Sequence, residues 1–119
     1  MSTQAVANRL VELCRQGKFE EAQRELFAED AVSIEQHETP AFARETKGLK
    51  AIIEKGHKWS SMLEQMHGCT VSAPLVVENA FSLIMGLDAT MKGQGRMKLQ
   101  EICVYEVKND KIVSERFFM

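Results

Sequence analysis

Apolar residues recur at helical spacing through the first half of the chain and at a spacing of two through the second. Val6, Leu10, Leu13 and Cys14 share one face of a first helix, and Arg9, Glu12, Arg15 and Gln16 share the other. Gly17 ends it, since glycine takes the left-handed backbone of a helix stop at little cost. A shorter helix follows, with Phe19, Ala22, Leu26 and Phe27 on its apolar face. Glu20 and Glu21 occupy its first turn, where the helix dipole favours negative charge. Ala31 to Glu35 alternates apolar and polar side chains and predicts a short strand. The polar stretch from His37 to Glu45, which contains Pro40, reads as a loop. Thr46 to Met66 predicts the longest helix, capped by Thr46. Its stripe is Leu49, Ile52, Ile53, Gly56, Ser60, Leu63 and Met66, with Trp59 beside it and Gly68 at its end.

From Cys69 onward the period is that of strands. Four are predicted, over residues 69–78, 80–91, 96–108 and 111–119. Glu78-Asn79, Lys92-Gly93-Gln94-Gly95 and Asn109-Asp110 supply the turns. Helices first and an antiparallel meander last imply an α+β architecture. No Pro/Ser-rich linker, repeat or low-complexity tract interrupts the chain, so residues 1–119 read as a single domain.

Composition narrows the functional classes. The net charge is −2, with Lys and Arg scattered among Glu rather than gathered in a basic stripe, which argues against a nucleic-acid binder. No segment approaches the ~20 consecutive apolar residues that span a bilayer, so no membrane partner is expected. Met1-Ser2-Thr3-Gln4 shows no basic region leading into an apolar stretch. No signal peptide is therefore expected, and the expected location is cytoplasmic. The three cysteines, Cys14, Cys69 and Cys103, are an odd number, which fits free thiols in a reducing compartment. Their spacing matches no zinc motif, and there is no Gly-rich phosphate loop. Neither metal nor cofactor is expected.

Four segments together carry a resemblance. They are the helix–glycine–helix start Leu13 to Glu20, the step Leu26-Phe27-Ala28-Glu29-Asp30-Ala31-Val32, the start of the long helix Thr46 to Ile52, and the closing hairpin Val104 to Val113. In order and spacing the chain resembles the SnoaL-like branch of the nuclear transport factor 2-like superfamily. The resemblance implies the cystatin-like cone: a curved antiparallel sheet wrapped around a long helix, with two N-terminal helices and a cavity at the open end. The same cone serves ketosteroid isomerases, polyketide cyclases, dehydratases and transport factors, so it leaves the chemistry open.

Carried over residue by residue, the resemblance places Glu35 at the general-base position of the isomerases, at the end of the first strand. Their oxyanion donors match Leu10 and Ile102 here. Neither can donate, which argues against standard steroid isomerisation. The resemblance also puts Gln100, Ile102 and Val104 on the inner face of one strand, and Glu115, Phe117 and Met119 on that of the next. The expected pocket then comprises Trp59, Met85, Gln100, Ile102, Glu115 and Phe117. Glu35 and His37, two residues further at the cavity mouth, are the candidate catalytic groups. His57 reads as a surface residue, and Cys14 and Cys103 as core. Two functions follow. One is the binding of a small apolar molecule with isomerase, cyclase or dehydratase-type proton transfer. The other is a non-enzymatic ligand-binding or interaction domain. With Glu101, Cys103 and Tyr105 expected outside, the sheet has apolar groups on both faces, which implies a homodimer.

Overall fold

In the computed structural model, which describes residues 1–119, the chain starts with α1 (Thr3–Arg15). The Ser2 hydroxyl caps it by accepting from the Ala5 amide at 3.0 Å, and Gly17 turns the chain at φ 74°. In α2 (Phe19–Leu26), Glu25 accepts two hydrogen bonds from the Arg9 guanidinium, at 2.8 and 3.0 Å, which tie the two helices together. β1 (Phe27–Ile34) runs straight out of α2. A loop leads to β2 (Glu45–Lys47), then α3 (Leu49–Ser61), β3 (Leu63–Val71), β4 (Leu75–Val77), β5 (Ala80–Met91), β6 (Gly95–Lys108) and β7 (Lys111–Phe118).

The long helix is shorter than its pattern predicts at both ends. Thr46 lies in β2 and is no cap; Gly48 takes that place at φ 93°, a backbone that favours glycine. At the other end Leu63 and Met66 leave the helix. Both fit either period, and pairing with β5, Leu63 opposite Met91 and Met66 opposite Ala89, decides for strand. The expected strand over 69–78 is likewise divided, into the end of β3 and the short β4, with Pro74 between them.

The seven strands form one mixed sheet in the order β2-β1-β7-β6-β5-β3, with β4 paired to β5. All pairs are antiparallel except β1 with β7, which runs parallel and sets Ser33 beside Glu115. Register shifts within β1–β7, β3–β5 and β6–β7 bend the sheet. At Gly86 a Cβ would meet Thr70 Oγ1 at 2.5 Å, so any larger residue there would force the Thr70 side chain to move. Val6, Leu10, Leu13 and Leu26 from the helices pack against Phe81, Leu83 and Ile112 from the sheet. Phe81 and Tyr105 stack with ring centroids 4.8 Å apart. No helix is long and apolar enough to cross a membrane.

The face assignment of β6 is the reverse of the expectation. Cys103, Tyr105 and Val107 are buried beneath the helices, whereas Ile102 is 48% exposed. Gln100, Ile102 and Val104 therefore lie on the outer face. Side chains alternate along a strand, so an error of one position inverts every residue in it.

Candidate functional site

A cavity of about 410 Å³ opens between α3, the loop after β1 and the inner faces of β5, β6 and β7. α3 contributes Ile52, Lys55, Gly56 and Trp59, which are three or four residues apart and so share one helical stripe. Met85 comes from β5, Leu99 and Tyr105 from β6, and Phe117 from β7. Of the residues expected at the site, Glu35, His37, Trp59, Met85, Glu115 and Phe117 line this cavity together. Gln100 and Ile102 do not, since β6 turns them outward. His37 is exposed, at the mouth, in a loop held by Lys58, which donates to the Ala41 carbonyl, and by the Thr39 amide on the Phe42 carbonyl.

Polar groups converge on Lys55. Its Nζ lies 3.1 Å from Glu35 Oε1 and donates to Ser33 Oγ at 3.1 Å, while standing 5.5 Å above the Phe117 ring. Parallel pairing of β1 with β7 brings Ser33 beside Glu115, which is only 5% exposed. Glu115 belongs to no ion pair, so it is not the rim partner of a surface cation. Burial pushes its carboxyl up to about 7; Lys55 and Ser33 oppose the shift, and Glu35 and Glu101 add to it.

Glu101 is the group that sequence reasoning missed. It lines the cavity from β6, and burial, followed by the nearby Glu35, pushes its carboxyl up to about 7. The Cys103 thiol faces it at 3.8 Å. The signal was present in the whole strand. Met97, Leu99, Cys103, Tyr105 and Val107 form the apolar parity of β6, and Glu101 is its single charged member. Ile102 faces outward, and its neighbour Glu101 supplies a carboxyl to the cavity. Leu10 does line the cavity and brings no donor. Burial pushes the Cys14 thiol up to about 12 and raises Cys103 and Tyr105 further, so these groups stay neutral near pH 7. No set of three or more His, Cys, Asp or Glu side chains is arranged to hold a metal ion.

A curved sheet closing on one helix to leave a cavity with buried carboxyls is the arrangement that the resemblance implied. The family model for a SnoaL-like domain matches residues 1–119. The chain belongs to the SnoaL-like family.

Among solved structures, this SnoaL-like chain is similar to a Mesorhizobium loti protein named for its likeness to SnoaL-like polyketide cyclases. The two are 32% identical over 100% of each chain, with a TM-score of 0.92. A Mycobacterium tuberculosis protein in complex with an estradiol hemisuccinate is 16% identical over 100% of this chain and 95% of its own, with a TM-score of 0.76. A Catenulispora acidiphila protein with a ketosteroid isomerase-like fold, in complex with trimethylamine, is 14% identical over 96% and 84%, with a TM-score of 0.70. The last two show the fold alone. No curated protein matches the chain.

Proposed function

We propose that this SnoaL-like protein binds a small, mainly apolar molecule in its cavity and moves a proton on it, as an isomerase, cyclase or dehydratase does. The observation that carries the reading is the pair Glu101 and Glu115, which open on the same apolar cavity as Glu35; burial pushes both carboxyls up to about 7. A carboxyl poised near the working pH both takes and returns a proton efficiently. Glu35 is the base, oriented by Lys55, and His37 at the mouth is an auxiliary group. Glu101 supplies a second carboxyl to the ligand from β6, where outward-facing Ile102 supplies none. Bound molecules in two proteins of the same fold support a small-molecule role for the cavity.

A nitrobenzisoxazole, whose ring opens when a base in an apolar site removes its proton, tests this reading. Ring opening by the wild type, with losses of about tenfold or more in Glu35→Gln or Glu101→Gln, is expected. Unchanged turnover in both variants would sink the catalytic role. One observation favours binding without chemistry: Glu35 is already engaged by Lys55. A probe that raises the melting temperature without reacting supports that second reading.

The outer face supports a homodimer. Ile84, Ile102 and Phe118 lie in register across β5, β6 and β7 and are 47, 48 and 39% exposed. Leu75 and Val77 extend the apolar surface along β4. The free thiols fit a cytoplasmic location.

A further inference from the structure

The charges in the cavity do not balance. Glu35, Glu101 and Glu115 face a space whose only lysine or arginine is Lys55, and Lys55 is already bound to Glu35 and Ser33. His37, the remaining basic side chain of the lining, is exposed at the mouth. Glu101 lines the same space and belongs to no ion pair, and it feels the negative charge of Glu35, which Lys55 only partly offsets. Buried acids without a counter-charge destabilise a fold, and a ligand that brings the charge gains what the protein lacks.

A second observation points the same way. The walls near these acids are aromatic: Phe42, Trp59, Tyr105 and Phe117. Aromatic faces attract cations, and this site already uses one so, since the Lys55 ammonium sits 5.5 Å over the Phe117 ring. A cavity that recognised only neutral hydrocarbon would gain nothing from three acids, and one built for a carboxylate ligand would be opposed by them.

We propose that the ligand of this cavity is an apolar molecule bearing a protonated amine, and that Glu101, the carboxyl beside Glu35 that Lys55 does not hold, receives its ammonium group. The proposal rests on the reading of the cavity as a small-molecule site and names its ligand class. It also fits proton transfer. With Lys55 offsetting Glu35 and the ligand ammonium offsetting Glu101, Glu115 remains over, the most buried of the three and in no ion pair.

The test is calorimetric titration of the intact protein near pH 8, above the value of about 7 to which burial pushes Glu101 and where an alkylamine is still protonated. Three probes share one bicyclic body: naphthylmethylamine, the neutral naphthylmethanol and the anionic naphthoate. The amine is expected to bind at least about tenfold tighter than the alcohol, and naphthoate weakest. Glu101→Gln should bring amine and alcohol to within about twofold, and Glu101→Asp should restore most of the preference. Equal binding of alcohol and amine by the wild type, or an amine preference undiminished in a folded Glu101→Gln variant, overturns the amine proposal and leaves the small-molecule reading standing. Failure of all three probes to bind at millimolar concentration overturns both.

Discussion

Lys55 Nζ stands 3.1 Å from Glu35 Oε1, and Lys55 is the one lysine or arginine of a cavity that also holds Glu101 and Glu115. This contact joins α3 to the end of β1 and restrains the charge of the whole cluster. Its side chains are 17% and 28% exposed, which places the pair between a surface bridge and a buried one.

Lys55→Met is therefore expected to cost roughly 1–3 kcal/mol, less than a fully buried pair would because water reaches Glu35. Adding Glu35→Gln should recover part of the loss by removing the charge left behind. Chemical denaturation of the two single variants and the double variant measures the coupling.

Glu115 predicts a pH dependence. Its carboxyl is raised from 4.5 to about 7 in the folded protein, by burial first and then by Glu35 and Glu101 against Lys55 and Ser33. Between those values the folded state holds more protons than the unfolded state, so stability falls as pH rises through that window. The contribution is whole below 4.5 and lost above about 7, and Glu101 acts in the same direction. Glu115→Gln cannot ionise. It should be more stable than wild type by roughly 1–3 kcal/mol above neutrality, with the gap closing toward pH 5, as read from denaturation midpoints across pH.

The outer row Ile84, Ile102 and Phe118 predicts that Ile102→Arg yields a folded monomer with an unchanged cavity, because Ile102 contributes nothing to the lining. Sedimentation at micromolar concentration checks this. A wild type that is already monomeric there would remove the dimer from the proposed function.

Helix and strand faces give a fourth test. Ile52 is 2% exposed on α3, and Ile52→Asp would bury a charge without a partner, enough to abolish soluble folding. Leu63 was expected on the same helical stripe but starts β3 and is only half-buried. Leu63→Asp should fold with a smaller loss, about 1–2 kcal/mol, in thermal melts.

Close approach of the Thr70 hydroxyl to Gly86 gives a fifth. Gly86→Ala places a methyl against Thr70 Oγ1 and should cost about 1–3 kcal/mol; Thr70→Gly in the same chain should return much of it.

The order of elements and the residues on α1, α2 and β5 were legible because each carries one clear period and a turn signal at its end. The stretch from Met62 to Met66 was not, since its apolar spacing suits a helix and a strand alike and only pairing with β5 decides. The faces of β6 were placed through the resemblance, and a slip of one position inverted them. Ile102 and Val104 are apolar on the outside, so a short window around them shows apolar side chains in both parities. Only the full strand, with Arg96, Lys98, Glu106 and Lys108 on the outer parity, separates the two faces. Glu35, His37 and Glu115 were found as lining residues through the resemblance. Lys55 was not, because a lysine among helical apolar positions looks like a solvated residue until β1 and β7 are placed around it.

The parallel seam of β1 with β7 sets Ser33 from the early part of the chain beside Glu115 from its last strand. Pairings so distant in sequence close late, after more local hairpins have formed. During synthesis the helices and β1 emerge from the ribosome long before β7 exists. The Ser33, Lys55 and Glu35 cluster must then wait without its deepest acid. Assembly of the site is thereby coupled to arrival of the final strand, so a chain truncated before β7 loses Glu115 and the parallel seam in the same event.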